Sequence, residues 1–353
     1  MPYLSASPKP RAHHAPVLLL NICSTWTAIA LATPSLWTVI HIRFPCAEGF
    51  KELVRTWIER AHNRPLSISL SGKLEKDIAT LIWRHGEQLK HLEMHGHSHE
   101  YDVFGNVIPG RLPLLQTLTI RGSPDVSFST PRFLHLLSLT PNLVECTFDN
   151  IYLSSAVLPI TEKLVLPNLR RLMFGKSAPN SDDDLLTRLS LPTLETLSLP
   201  MRYVSADDLF SFLGRSSLPL REMIIVGEPN VNFDRMVEGL RLIPTLTQIE
   251  LWDRAFHLVP DIFTALHDST LLPDLRKLTL HILSSRAAES FWETLLSTLS
   301  ARHPQSSITV VELDFGSSPV LNPVGPVLAA LRELAAAGTK IYIGTEECTR
   351  VSA

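Results

Sequence analysis

The stretch LPNLRRLMF (166–174) recurs along the chain with the same spacing of leucines. Clear copies are LPLLQTLTI (112–120), TPNLVECTF (140–148), LPTLETLSL (191–199), SLPLREMII (217–225), IPTLTQIEL (243–251) and LPDLRKLTL (272–280). Degenerate copies stand at both ends, GEQLKHLEM (86–94) and SITVVELDF (307–315). Most copies end in a version of LxxLxL, and alternate residues of a strand face opposite sides. Each copy therefore predicts a short strand whose apolar residues, such as Leu172 and Phe174, face a core.

The spacing of the copies indicates a repeat architecture. Their prolines are Pro113, Pro141, Pro167, Pro192, Pro219, Pro244 and Pro273. Consecutive prolines lie 25 to 29 residues apart, within the range of leucine-rich repeats. Between them the sequence predicts amphipathic helices at 182–189, 206–213, 233–242, 261–266 and 289–299. We therefore expect an α/β fold, a leucine-rich-repeat-like solenoid with parallel strands and convex-side helices over residues 66–345. An ordinary α/β domain with a parallel sheet is the alternative.

Composition excludes several classes of function. The chain has 353 residues, 45% hydrophobic, with a formal net charge of -3, which gives no reason to expect a nucleic-acid or membrane partner. The four cysteines are far apart, as in free buried thiols of a reducing compartment, and we expect a cytoplasmic or nuclear protein. The apolar run from Val17 also allows a secretory signal cleaved near Ala32, and hence a secreted leucine-rich binding protein.

Two tryptophan-containing stretches precede the repeats. In NICSTWTAIALATPSLWTVIHI (21–42) the pattern predicts a helix over residues 17–31, which Thr33-Pro34 ends, and then a strand-like run. FKELVRTWIERAHNRPLSISLS (50–71) follows and predicts a second helix. Together with the repeats, these stretches resemble the second half of the F-box and the helix after it in fungal F-box proteins with leucine-rich repeats. The Leu-Pro-x-Glu-Ile start of that family's pattern is missing from the first residues.

The resemblance implies a domain order and a function. It implies a disordered tail (1–15), or a gene model that starts too late, a partial F-box-like segment (16–45), a linker helix (46–65), the repeats (66–345) and a tail (346–353). The implied role is the substrate-recognition subunit of an SCF-type ubiquitin ligase, which is not itself an enzyme. The implied contacts with the ligase's adaptor subunit are Leu20, Cys23, Trp26, Ile29, Pro34, Leu36 and Trp37. The alternative is a non-ligase scaffold protein in which residues 16–45 only cap the solenoid.

The substrate is expected on the concave face, formed by the strand residues that point away from the core. The residues best suited to bind a protein there are Arg121, Asp149, Arg171, Met173, Ile224, Glu250, Trp252, Lys277 and His281. His91, His95, His97 and His99 could suit a metal, but a solvated loop is the favoured interpretation of this run. No sequence pattern of a catalytic or cofactor site is found, so we expect no metal, no cofactor and no nucleic-acid partner.

Overall fold

The computed structural model describes residues 16–47, 49–96, 100–102, 104–122, 127–149, 152–154, 163–175, 183–200, 206–216, 219–226, 233–252, 259–281, 289–302, 308–315, 325–345 and 348–352. The chain divides into two compact units. The first comprises residues 1–169 and 177–182, and the second comprises residues 170–176 and 183–353.

The first unit is built around a parallel sheet with the strand order β1-β2-β3-β5-β7. Its elements are, in chain order, α1 (Ser24–Leu31), β1 (Val39–Arg43), α2 (Phe50–Arg60), β2 (Leu66–Ser71), α3 (Lys76–Arg84), β3 (Leu89–His95), β4 (Glu100–Tyr101), β5 (Thr117–Arg121), β6 (Ser127–Ser129), α4 (Thr130–Ser138), β7 (Glu145–Asp149), β8 (Tyr152–Ser154) and β9 (Leu164–Val165). A small parallel sheet, β4-β6-β8, stands apart from the main one.

The second unit repeats a strand and a helix along its length. Its elements are β10 (Arg171–Phe174), α5 (Asp183–Arg188), β11 (Leu189–Ser190), β12 (Thr196–Pro200), α6 (Ala206–Ser216), β13 (Glu222–Val226), α7 (Phe233–Arg241), β14 (Gln248–Trp252), α8 (Val259–Leu266), β15 (Lys277–His281), α9 (Glu289–Arg302), β16 (Val310–Asp314), α10 (Gly325–Ala336), β17 (Lys340–Thr345) and β18 (Cys348–Ser352). The sheet order is β10-β12-β13-β14-β15-β16-β17-β18, parallel up to the antiparallel β18. Each helix from α5 to α10 contacts the next, so these helices form one layer.

The repeated phrase explains this architecture. Its leucines alternate along each strand and are buried, as Leu172 (1% exposed) and Leu278 (0%) show. The residues between them are mostly half-exposed, so each strand has one face in the core and one face outside it. This arrangement confirms the predicted α/β class, with parallel strands and helices that alternate along the chain as in a solenoid.

The predicted single helix over residues 17–31 is wrong. A 3-10 helix covers Val17–Asn21, and α1 begins only at Ser24. Cys23 between them is extended (φ −162°, ψ 170°), which a continuous helix does not allow. The Thr27 hydroxyl joins the two pieces, because it donates to the Leu20 and Cys23 carbonyl oxygens, both at 3.0 Å.

Strands also lie in two segments predicted to flank the repeats. The strand-like end of the segment 16–45 is β1, which pairs in parallel with β2, so the sheet begins at Val39. The predicted tail 346–353 contains β18, which pairs with β17. The helix predicted between residues 46 and 65 is α2, whereas the predicted tail 1–15 lies outside the described residues.

Among the cysteines whose side chains the structure describes, only Cys146 is buried as predicted. Cys23, Cys46 and Cys146 are free thiols, but Cys23 is exposed and Cys46 is half-buried. Burial raises the pKa of Cys146 well above its usual range. Burial, aided by the charge of Glu75, raises the pKa of Cys46 to about 11, so neither thiol is a reactive thiolate at neutral pH. The Cys348 side chain lies outside the described part of the chain.

Candidate functional site

Large apolar side chains are exposed together near the start of the described chain. We define this apolar N-terminal surface by Leu18 (41% exposed), Ile22 (53%), Trp26 (45%), Ile29 (47%) and Leu31 (42%). Trp26 and Ile29 lie three positions apart on α1 and therefore share one face of the helix. A group of exposed apolar residues this dense is typical of a protein–protein contact rather than of a solvated helix.

The opposite side of the same segment is fixed to the first unit. Ala30 is fully buried, and its carbonyl oxygen accepts a hydrogen bond of 2.8 Å from the Trp37 indole nitrogen. The Trp37 ring meets Trp57 of α2 edge-to-face at 5.2 Å, and the Arg60 guanidinium lies 4.5 Å from the Trp37 ring centre. The apolar N-terminal surface is thus presented by a segment that tryptophan packing holds in place.

The predicted adaptor contacts divide into three groups by exposure. Cys23, Trp26 and Ile29 are exposed, and Leu20, Pro34 and Leu36 are half-buried. Trp37 is only 1% exposed, so the prediction that it contacts a partner is wrong, because Ala30, Trp57 and Arg60 enclose it. The sequence prediction missed Leu18, Ile22 and Leu31, and the break at Cys23 means that no single helical face groups Leu18 and Ile22 with α1.

The outer face of the first unit's sheet carries polar side chains in rows. Strand register aligns Val39, Ser67, His91, Thr117 and Glu145 in one row; His41, Ser69, Glu93, Thr119 and Thr147 in the next; and Arg43, Ser71, His95, Arg121 and Asp149 in the third. Because side chains of one row stand on adjacent strands, they are direct neighbours. The predicted substrate-binding residues Arg121 and Asp149 lie side by side in the third row.

A cavity of about 300 Å³ opens on this polar face. Its polar lining consists of Ser67, Ser69, His91, Glu93, Thr117, Thr119 and Arg121. Glu93 belongs to this lining, and its Oε1 lies 3.0 Å from His95 Nε2 and 3.6 Å from Arg121 Nη2. The hydrogen bond from His95 holds the pKa of Glu93 below its usual value, aided by the charges of His95 and Arg121 and by the Ser69 hydroxyl, so the carboxylate is ionised at neutral pH.

The histidine run contributes to this face without forming a metal site among the described residues. His91 Nδ1 lies 2.6 Å from the Thr117 hydroxyl oxygen, and burial lowers the pKa of His91, which keeps its imidazole neutral at pH 7. His95 contacts Glu93. His97 and His99 lie outside the described residues.

The outer face of the second unit's sheet brings predicted residues into one cluster. His281 stacks on Trp252, with ring centres 3.7 Å apart and planes at 14°. Its Nδ1 lies 2.9 Å from Asp314 and its Nε2 lies 3.1 Å from Glu250. The Trp252 indole N–H donates to the same Glu250 oxygen, at 2.6 Å. The cluster therefore links β14, β15 and β16 through side chains, which rigidifies this face.

The remaining predicted residues of the second unit differ in exposure. Lys277 pairs with Glu312 at 2.8 Å, Arg171 is exposed and Met173 is half-buried. Ile224 is only 9% exposed, so the expectation that it offers an exposed apolar contact is not met. Its neighbours in the row, Ser198 and Glu250, flank it in register, and Ser198 is itself buried.

No known protein family matches the chain, and no curated protein is significantly similar to it in sequence. No helix among the described residues is long and apolar enough to cross a membrane.

Proposed function

We propose that this chain is an F-box-like substrate-recognition subunit of an SCF-type ubiquitin ligase in the cytoplasm or nucleus. In this role the apolar N-terminal surface binds the ligase's adaptor subunit, and an outer strand face binds the substrate protein. The chain itself performs no ubiquitin chemistry, which belongs to the other subunits of the ligase.

The observation that carries the proposal is the contrast between the two sides of the segment 17–37. One side exposes Ile22, Trp26 and Ile29, while Ala30 and Trp37 on the other side are buried. A segment that only capped the sheet would direct its large apolar residues inward, because exposing them to water is unfavourable. Tryptophan is also a residue type that contributes much of the binding energy at protein interfaces.

The test is a pull-down with purified adaptor subunit. We expect the full-length chain to bind and the variant Ile29→Asp to lose binding, because a charge at the centre of an apolar contact is left without solvent or partner. Ser24→Asp is the matched control, since Ser24 is exposed on the same helix and lies outside the apolar N-terminal surface. Failure of the unmodified chain to bind would contradict the proposal and favour the scaffold alternative.

A further inference from the structure

We infer that the cavity on the first unit's outer strand face binds the side-chain carboxamide of an asparagine or glutamine in a partner protein. This inference rests on the proposed function, because it assigns the substrate class to that same face. The carboxamide would bridge Arg121 and Glu93, and its oxygen would accept from the guanidinium while its NH₂ donates to the carboxylate.

The charge of the cavity favours an uncharged ligand group. Its lining holds one guanidinium, Arg121, and one carboxylate, Glu93, while burial keeps the lining imidazole of His91 neutral at pH 7. A carboxylate entering the cavity would meet the carboxylate of Glu93, and an ammonium group would meet the guanidinium of Arg121, so either charged group would face a like charge in a half-buried site. A neutral group that both donates and accepts hydrogen bonds meets no such cost.

The separation of the two charged groups favours a bridging ligand. Arg121 Nη2 and Glu93 Oε1 are 3.6 Å apart, which is too far for a hydrogen bond. The oxygen and nitrogen of a carboxamide lie about 2.3 Å apart, as the C=O and C–N bond lengths require. A carboxamide facing the pair can therefore make one hydrogen bond of ordinary length to each group.

The other lining groups have the capacity to hold the peptide around that side chain. Among the described residues, the Ser67 and Thr119 hydroxyls have no hydrogen-bond partner. Both residues line the cavity, and 300 Å³ is at the lower end of the volumes of ligand pockets. Hydroxyls both donate and accept, so they suit the peptide groups that flank the inserted side chain.

The experiment is selection from an acetylated heptapeptide library, randomised at its centre, by the purified full-length chain and three variants. We expect the unmodified chain to enrich Asn or Gln by about tenfold or more over Leu, as loss of hydrogen bonds to charged groups implies. Glu93→Gln leaves Arg121 unbalanced and should shift the preference to Asp and Glu. Arg121→Gln leaves Glu93 unbalanced and should shift it to Lys and Arg.

Glu145→Gln is the matched control, since it removes a carboxylate from the same face but outside the cavity lining, and it should keep the amide preference. Thermal melting of each variant shows whether it is folded. The inference would be overturned if the unmodified chain enriched a charged or apolar residue, or enriched nothing. It would also be overturned if the folded Glu93→Gln and Arg121→Gln variants had identical preferences. The library contains no adaptor, so failure here and failure of adaptor binding are distinguishable.

Discussion

Arg302 is a charged side chain in the interior of the second unit. It is 1% exposed, and its guanidinium donates to the carbonyl oxygens of Leu266, Asp268, Leu271 and Leu272. These carbonyls lie at the end of α8 and in the turn after it, where a helix leaves its last carbonyl groups without intrahelical partners. Arg302 of α9 therefore caps the C-terminal end of α8.

Replacing Arg302 should destabilise the protein strongly. Arg302→Met keeps much of the side-chain volume but leaves the buried carbonyl oxygens of Leu266 and Leu271 without a donor, so we expect a loss of about 3 kcal/mol in the free energy of unfolding. Urea unfolding measures it. Arg332→Met is the control, because Arg332 is exposed on α10, and it should change the free energy by no more than about 0.5 kcal/mol. Equal changes in the free energy of unfolding in the two variants would show that the hydrogen bonds of Arg302 do not contribute to stability.

Glu93 makes stability depend on acid pH. Its pKa is lower in the folded chain than its ordinary value of 4.5, chiefly through the hydrogen bond from His95. A carboxyl group with a lowered pKa stabilises the fold above its ordinary pKa and loses that contribution as pH falls through the folded value. Its half-exposed position limits the contribution to about 1 kcal/mol.

Urea unfolding of the unmodified chain and of the Glu93→Gln variant, measured at a series of pH values, tests this contribution. The unmodified chain should be the more stable above pH 4.5, the ordinary value, and the difference should shrink toward zero as the pH is lowered further. A difference that stays constant or grows in acid would mean that the ionised carboxylate does not stabilise the first unit.

At the scale of elements, the two tryptophans of the N-terminal segment have opposite roles. The sequence alone gives both the same role, because both are apolar and both lie in a stretch that resembles an F-box. Only the three-dimensional structure distinguishes their roles, since the Trp37 ring is buried against Trp57 while Trp26 is 45% exposed. That contact joins residues 20 positions apart in sequence, which no local pattern reveals.

The two tryptophans should therefore respond differently to truncation. Trp37→Ala removes a buried ring and should cost about 3 to 5 kcal/mol of unfolding free energy. Trp26→Ala should cost no more than about 0.5 kcal/mol, while it weakens adaptor binding. Denaturant unfolding and the adaptor pull-down together measure both effects, and a destabilised Trp26→Ala variant would show that its ring packs against the chain.

The strand β18 protects an edge of the second unit's sheet. It pairs in antiparallel fashion with β17, from Tyr342↔Ser352 to Thr345↔Cys348. A chain truncated after Thr345 would leave the hydrogen-bonding groups on that side of β17 without a strand partner, and such edges pair with other chains. We expect this truncation to increase self-association in dynamic light scattering, whereas removal of Ala353 alone should not.

The repeated phrase was a reliable guide to the strands, and the helices between them were also predicted well. The alternation of apolar residues in LxxLxL and the proline that precedes each copy are local signals. The positions of strands such as β10 and β15 can therefore be predicted from them directly. Helices α3, α4 and α10 were not predicted, although Ile78, Phe133 and Leu331 lie on their buried faces. The pairing of β18 and the burial of Ile224 depend on neighbours distant in sequence, and the sequence therefore could not give them.

At the scale of the whole molecule, surfaces of different chemistry stand on separate elements. The N-terminal segment exposes apolar side chains, the first unit's outer strand face is polar with a cavity, and the second unit's face carries the Trp252–His281 cluster. A subunit that connects an adaptor to a substrate needs at least two such surfaces.

Hydrogen exchange of the full-length chain with and without purified adaptor subunit tests the proposed function most directly, because it both detects binding and locates it. We predict that adaptor slows exchange in the residues of the apolar N-terminal surface, 17–31, and leaves β3 and β5 unchanged. Binding without protection of residues 17–31, or no change anywhere in the chain, would contradict a role of this segment in adaptor recognition.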